Sequence, residues 1–162
     1  MSRPEPTPRL RAPWIARLLG VHWLVRAPIG LFRARLGLLL GNRMLMLEHV
    51  GRSSGRPRYV VLEIVDHPSP NRYIVASGFG TRAQWFRNIQ ADPHVRVTVG
   101  SRRPRAAVTH MMTPTDAALA LRAYRAAHPR AWSALQHVLT ETLGEQVRED
   151  ASNVPLVSID LR

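Results

Sequence analysis

At 162 residues the chain has the length of one domain with room for a real core, and its 45% hydrophobic share argues for a globular protein over a disordered one. It contains no cysteine, which excludes a disulfide scaffold and thiolate metal sites. The formal net charge is +12 and all 23 Lys-or-Arg positions are Arg. Such a surplus suits an acidic cofactor, nucleic acid or an anionic membrane surface, or is simply solvated.

Residues 1–8 are proline-rich and polar, do not resemble a signal peptide, and read as a disordered tip. Residues 13–40 read as helical in two pieces, broken or kinked at Pro28. One face carries Trp14, Leu18, Val21, Leu24, Leu31 and Leu38, the other Arg17, Arg26, Arg33 and Arg35. A basic amphipathic helix of this kind packs on its own domain or lies on a membrane surface. No apolar run reaches the ~18–20 residues that span a bilayer. The expectation is a cytoplasmic protein with peripheral membrane contact through residues 13–40 as an option. The chain divides into this leading segment, residues 1–40, and a folded domain, residues 41–162.

From Asn42 the period changes. Residues 44–50 and 59–65 are short apolar runs joined by a turn, Gly51-Arg52-Ser53-Ser54-Gly55-Arg56-Pro57-Arg58. Asp66-His67-Pro68-Ser69-Pro70-Asn71 is a turn signal, and residues 73–77 follow as a third strand. Gly78-Phe79-Gly80-Thr81 leads into a helix over residues 82–90, which Ala91-Asp92-Pro93 stops. Residues 95–99 alternate Val-Arg-Val-Thr-Val as a half-buried strand does, and residues 105–112 form another after the turn at 100–104. Thr113-Pro114-Thr115-Asp116 has the form of a helix start, with the helix running to Ala127. Pro129 separates it from a helix over residues 132–143, and residues 154–161 close the chain as a strand. Six strands in mostly hairpin succession, with a helix inserted after the third, predict an α+β fold: a small, mostly antiparallel barrel carrying helices.

The chemistry narrows by elimination. The seven histidines are scattered and no pair has the i, i+4 spacing of a zinc protease, so no metal site is expected. There is no Gly-x-Ser-x-Gly, acids are scarce, and Walker and Rossmann phosphate loops are absent. Binding remains. Glycines let backbone N–H groups approach a ligand closely, and the three guanidiniums at 52, 56 and 58 match phosphate or carboxylate oxygens. The same residues also suit an exposed hairpin turn. Ser77-Gly78-Phe79-Gly80 opening a helix presents backbone donors to an anion. Trp85 either flanks a planar ring or, like Phe86, packs in the core.

The basic turn resembles the Gly-Arg-Lys-Ser/Thr-Gly-x-Pro-Arg motif of the deazaflavin-dependent nitroreductase family. Trp85-Phe86-Arg87-Asn88-Ile89-Gln90-Ala91-Asp92-Pro93 is similar to that family's Trp-Tyr-x-Asn-Leu-x-Ala-Asn/Asp-Pro. Order and spacing agree across residues 41–161. The resemblance implies a split β-barrel of the flavin-reductase (FMN-binding) kind. It also implies coenzyme F420, a deazaflavin carrying a phosphate and an oligoglutamate tail, with hydride transfer to a quinone, nitro compound or activated enone. Carried over, Arg52, Ser53, Ser54 and Arg58 hold the phosphate and its surroundings. Ala76, Ser77 and Gly78 lie along the ring, and Trp85 and Asn88 close the pocket. The family's turn lysine is Ser53 here, and Arg82 substitutes for a lysine missing after the serine. Its tyrosine cluster is replaced by His128-Pro129-Arg130-Ala131-Trp132, which makes His128 and Trp132 the substrate-side candidates. His49, where threonines are common, is a candidate proton donor to the reduced substrate or a structural histidine.

Other readings use the same residues. The barrel can hold FMN, since both ligands carry phosphate, or can carry the deazaflavin without turnover. Nucleic-acid binding would use the charge, but aromatics are only 6% and no helix-turn-helix or RNA-binding motif is present. The expected partners are a small-molecule electron acceptor and, as a possible homodimer, a second copy of the chain.

Overall fold

In the computed structural model, residues 43–133, 136, 140 and 154–162 are described; the expected tip and helices of residues 1–40 and most of the expected 132–143 helix lie outside them. Six strands, β1 (Met44–Val50), β2 (Pro57–Ser69), β3 (Arg72–Ala76), β4 (His94–Val99), β5 (Arg105–Met111) and β6 (Leu156–Leu161), close a barrel. Its order is β1-β2-β3-β6-β5-β4, with β4 returning to β1 and every pair antiparallel. Helix α1 (Gln84–Ala91) carries the chain from β3 to β4, and α2 (Pro114–Ala127) leads from β5 toward β6.

Period-2 alternation decides which side of the sheet each residue covers. Leu45, Leu47, Leu62, Ile64, Tyr73, Val75, Val95, Val97, Val157 and Ile159 fill one core with Trp85, Phe86 and Ile89 of α1. Residues of opposite parity, Val65, Ile74 and Leu156, meet Ala117, Leu121 and Tyr124 of α2 in a second core that also takes in Trp132 and Val154. The Thr113 side chain caps α2 by accepting from the Asp116 N–H at 3.2 Å, while its hydroxyl donates to Asp116 Oδ2 at 2.7 Å.

Several boundaries differ from expectation. Strand β2 runs on to Ser69 through the segment expected as a turn, and only Pro70 and Asn71 turn. Register shifts between Ile64 and Asp66 and between Asp66 and Ser69 absorb the proline, and the His67 ring stacks on Tyr73 with centroids 4.2 Å apart. The segment before α1 begins as a 3-10 turn, Gly80–Arg82, rather than as α-helix. Helical structure after α2 resumes at Pro129, ahead of Trp132, with the Trp132 N–H donating to the His128 carbonyl at 2.8 Å.

Candidate functional site

The β1–β2 turn is built by its own backbone. Gly51 N–H donates to the Arg56 carbonyl at 2.9 Å, and the N–H groups of Ser54 and Gly55 both return to the Gly51 carbonyl, at 3.1 and 2.8 Å. Gly55 takes φ of 62°, the left-handed conformation that side-chain-bearing residues adopt at a cost. A Cβ at Gly51 would stand 2.6 Å from Ser54 Oγ, so a side chain there would have to displace the Ser54 hydroxyl.

Helix α1 locks this turn from across the fold. Asn88 Oδ1 accepts from the Arg52 main-chain N–H at 3.2 Å and from Arg52 Nη1 at 2.9 Å; Nη1 also donates to Gln84 Oε1 at 3.0 Å. Gln84 and Asn88 are one helical turn apart and share a face, which is why both reach the same guanidinium. On the other side of Asn88, its Nδ2 lies 3.2 Å from Nδ1 of His49. The His49 ring is buried, and burial, its main influence, pushes it below its ordinary pKa of 6.5; the Val50 main chain opposes this and the Arg58 charge adds to it.

Two cavities meet here. The first, about 420 Å³, is lined by Arg52, Ser53, Ser54 and Arg58 with His49, Gln84 and Asn88. The second, about 610 Å³, is mostly apolar, with Val60, Val61, Leu62, Ala76, Gly78 and Trp85 among its lining residues and the half-exposed Phe79 at its rim. Tyr59 and Gln84 line both, so a basic, hydroxyl-bearing end joins an apolar slot. Arg82 and Glu63 also border the slot. Glu63 Oε1 accepts from the Tyr124 hydroxyl at 2.6 Å and from Arg43 Nη2 at 2.9 Å, and the same Arg43 nitrogen donates to the Tyr124 oxygen at 2.7 Å. Burial, with help from the Glu63 carboxylate, pushes the Tyr124 phenol up to about 12.

Of the residues singled out from sequence, Arg52, Ser53, Ser54, Arg58 and Asn88 come together at the basic end, and Ala76, Gly78, Arg82 and Trp85 at the slot. Ser77 lies between two slot residues but is fully buried: its hydroxyl donates to the Gly80 carbonyl at 2.7 Å and holds the loop that precedes α1. Trp85 packs edge-to-face on Phe86 at 5.8 Å in the barrel core and also lines the slot. His49 sits at the basic end and not in the slot. His128 lines a separate cavity with Arg43 and Arg130, and Trp132 is buried in the second core. Sequence reasoning missed Tyr59, Gln84 and Glu63. Gln84 stands one residue before the motif that begins at Trp85, and its i, i+4 spacing to Asn88 was the available signal. Among the described residues no three His, Cys, Asp or Glu side chains converge as a metal site would require.

A closed antiparallel barrel with a basic turn beside an apolar slot defines a split-barrel protein of the flavin-binding kind. Solved structures with this fold include an F420-H2 dependent reductase at 19% identity (TM-score 0.50, covering 73% of this chain and 94% of that one). A pyridoxamine 5'-phosphate oxidase-related FMN-binding protein from Nostoc punctiforme matches at 17% (TM-score 0.52, 86% and 80% covered), and general stress protein 26 from Bacillus anthracis at 15% (TM-score 0.51, 81% and 88% covered). At these identities the likeness bears on fold alone. The model of the F420H(2)-dependent quinone reductase family matches residues 30–145, and the chain belongs to that family. It is an F420-dependent reductase, with the reduced deazaflavin as hydride donor. A comparison with curated proteins returned no match.

The residues present fit such a coenzyme. Its phosphate wants guanidiniums and hydroxyls, which the first cavity offers, and its tricyclic ring wants apolar walls, which the adjoining cavity offers.

Proposed function

We propose that the basic cavity takes the phosphate of F420 and the apolar cavity its ring, and that the electron acceptor is a quinone, nitro compound or activated enone. The observation that carries this reading is the sharing of Tyr59 and Gln84 by the two cavities, which puts an anion site and an apolar site within one ligand's length. When bound, the coenzyme supplies the hydride; the chain's residues bind, orient and exclude water. Arg52 is anchored through Nη1, leaving its Nε and Nη2 donors for phosphate oxygens, and Arg58 adds a second cation from β2. Ser53 and Ser54 supply hydroxyl donors where the resembling family carries a lysine and a serine or threonine. Val60, Leu62 and Trp85 keep water from the ring.

The test is a titration following F420 fluorescence. Wild-type protein binds, and Arg52→Ala and Arg58→Ala each weaken binding by roughly ten- to hundred-fold, the range of a lost charge-assisted contact. No response at high micromolar protein would sink the reading. A panel of quinones, nitroaromatics and enones with the reduced coenzyme then ranks the acceptors. An FMN-binding protein among the structural neighbours supports a second reading, FMN in the same slot, which the absorption spectrum of the loaded protein separates from deazaflavin. One neighbour at TM-score 0.50 is described as a domain-swapped dimer, which supports a homodimer here, to be checked by sedimentation. Among the described residues no helix is long and apolar enough to cross a membrane. Peripheral contact through residues 13–40 is tested by vesicle co-sedimentation with and without that segment.

A further inference from the structure

We propose that His49, neutral and carrying its proton on Nε2, is a positioning residue for the anion site: it holds the Asn88 amide in the one orientation that presents Oδ1 to Arg52. The inference rests on the reading that Arg52 grips the coenzyme's phosphate.

The argument is one of donors and acceptors. The Arg52 main-chain N–H and Nη1 can only donate, so the Asn88 atom between them is the oxygen. The amide nitrogen therefore faces His49 Nδ1 at 3.2 Å, and because that nitrogen can only donate, Nδ1 must accept. Acceptance requires an unprotonated Nδ1. A proton on Nδ1 sets two donors against each other; flipping the amide moves the conflict to Arg52, where two donors already point. No orientation of Asn88 satisfies both neighbours once His49 is charged, and the turn's tie to α1 weakens toward the single Arg52–Gln84 contact.

The surroundings favour the neutral ring. His49 is buried and pairs in register with Arg58 of β2. Arg52 faces it across Asn88, and the small cavity on its other side is lined by Arg96 and His94 of β4 and by Glu48 of its own strand. Cations outnumber the one carboxylate around it, and burial, the largest influence, acts in the same direction and outweighs the opposing pull of the Val50 main chain.

The experiment measures F420 affinity of the full chain from pH 8 to pH 5 for wild type, His49→Leu and His49→Gln. It is paired with NMR of the Asn88 side-chain amide in ligand-free wild type. The leucine variant, having no acceptor for Asn88, binds on the order of tenfold more weakly than wild type at pH 8, and the difference closes toward pH 5 as wild type loses its own acceptor. In the glutamine variant Oε1 accepts without titrating, so affinity is restored and the acid-side loss seen in wild type disappears. Comparing variants at each pH cancels the ionisation of the coenzyme itself. In ligand-free wild type the Asn88 amide resonances move as the His49 ring protonates. Affinity falling in parallel for wild type and His49→Gln, or Asn88 resonances indifferent to the ring's protonation, would overturn the proposal. Should His49→Gln fail to fold, the wild-type NMR titration decides. If F420 does not bind at pH 8 while Asn88 still tracks His49, the coenzyme reading falls and the relay stands.

Discussion

The carboxamide oxygen of Asn88 accepts two hydrogen bonds from Arg52, at 3.2 Å from the main chain and 2.9 Å from the guanidinium, across 36 residues of sequence. One α1 side chain thus fixes both the backbone and the charged tip of the residue that opens the anion site. Replacing it by alanine leaves the part-buried Arg52 N–H unmatched and the Arg52 side chain held by Gln84 alone. Asn88→Ala is expected to cost about 1–3 kcal/mol of stability, read by chemical denaturation, and to weaken F420 binding about as much as Arg52→Ala does. Full affinity in Asn88→Ala would show that Arg52 needs no anchor.

The two turn glycines fail differently when replaced. Around Gly55 a Cβ meets nothing within 4 Å, so Gly55→Ala carries only the strain of a positive φ, about 1–2 kcal/mol, and Gly55→Asn less. At Gly51 the Cβ collides with Ser54 Oγ and lies 3.5 Å from Arg58 Cγ. Gly51→Ala therefore displaces a ligand-side hydroxyl and lowers coenzyme affinity more than Gly55→Ala does. Denaturation and fluorescence titration of both variants separate strain from displacement.

Acid should loosen the fold through His49. Its folded pKa lies below 6.5, so as pH falls through 6.5 the unfolded chain binds a proton that the folded one refuses. Stability is therefore complete above that point and declines below it, until the folded pKa is reached. The melting temperature of wild type is expected to drop from pH 7 toward pH 5 more steeply than that of His49→Gln; superimposable profiles would contradict the burial of a neutral ring.

Tyr124 governs the opposite end of the range. Its phenol titrates at about 12 when folded against an ordinary 10.0, so between those values the unfolded chain ionises first and stability falls as pH rises. Absorbance at 295 nm should show one tyrosine resisting ionisation until about pH 12. Tyr124→Phe removes that resistant component and, by leaving the Arg43–Glu63 pair without its hydroxyl partner, costs about 0.5–1.5 kcal/mol.

Strand β4 was legible almost to the residue because its sequence alternates without interruption, and β1 because its apolar run is bounded by turn chemistry at both ends. The far end of β2 was not. Asp66, Pro68 and Ser69 carry turn propensities, and only pairing with β3 and the stack of His67 on Tyr73 hold them extended. The Arg52–Ser54 turn announced its chemistry directly, since guanidiniums, hydroxyls and a positive-φ glycine act within a few bonds of one another. Tyr59 announced nothing and Gln84 only its helical spacing to Asn88, because neither belongs to a motif and each matters for what it lies beside.

By itself the sequence determined that a basic, glycine-bounded hairpin would sit in a small antiparallel barrel, and which side chains could grip an anion there. Side-chain identity and backbone freedom are local properties, and they survive being read in one dimension. Barrel closure decided the rest. It brought α1 against the β1–β2 turn, set Asn88 between His49 and Arg52, buried the Ser77 hydroxyl in its own loop and kept His128 away from the slot. Those relations depend on which surfaces the core can bury together, and burial is settled only when distant segments meet.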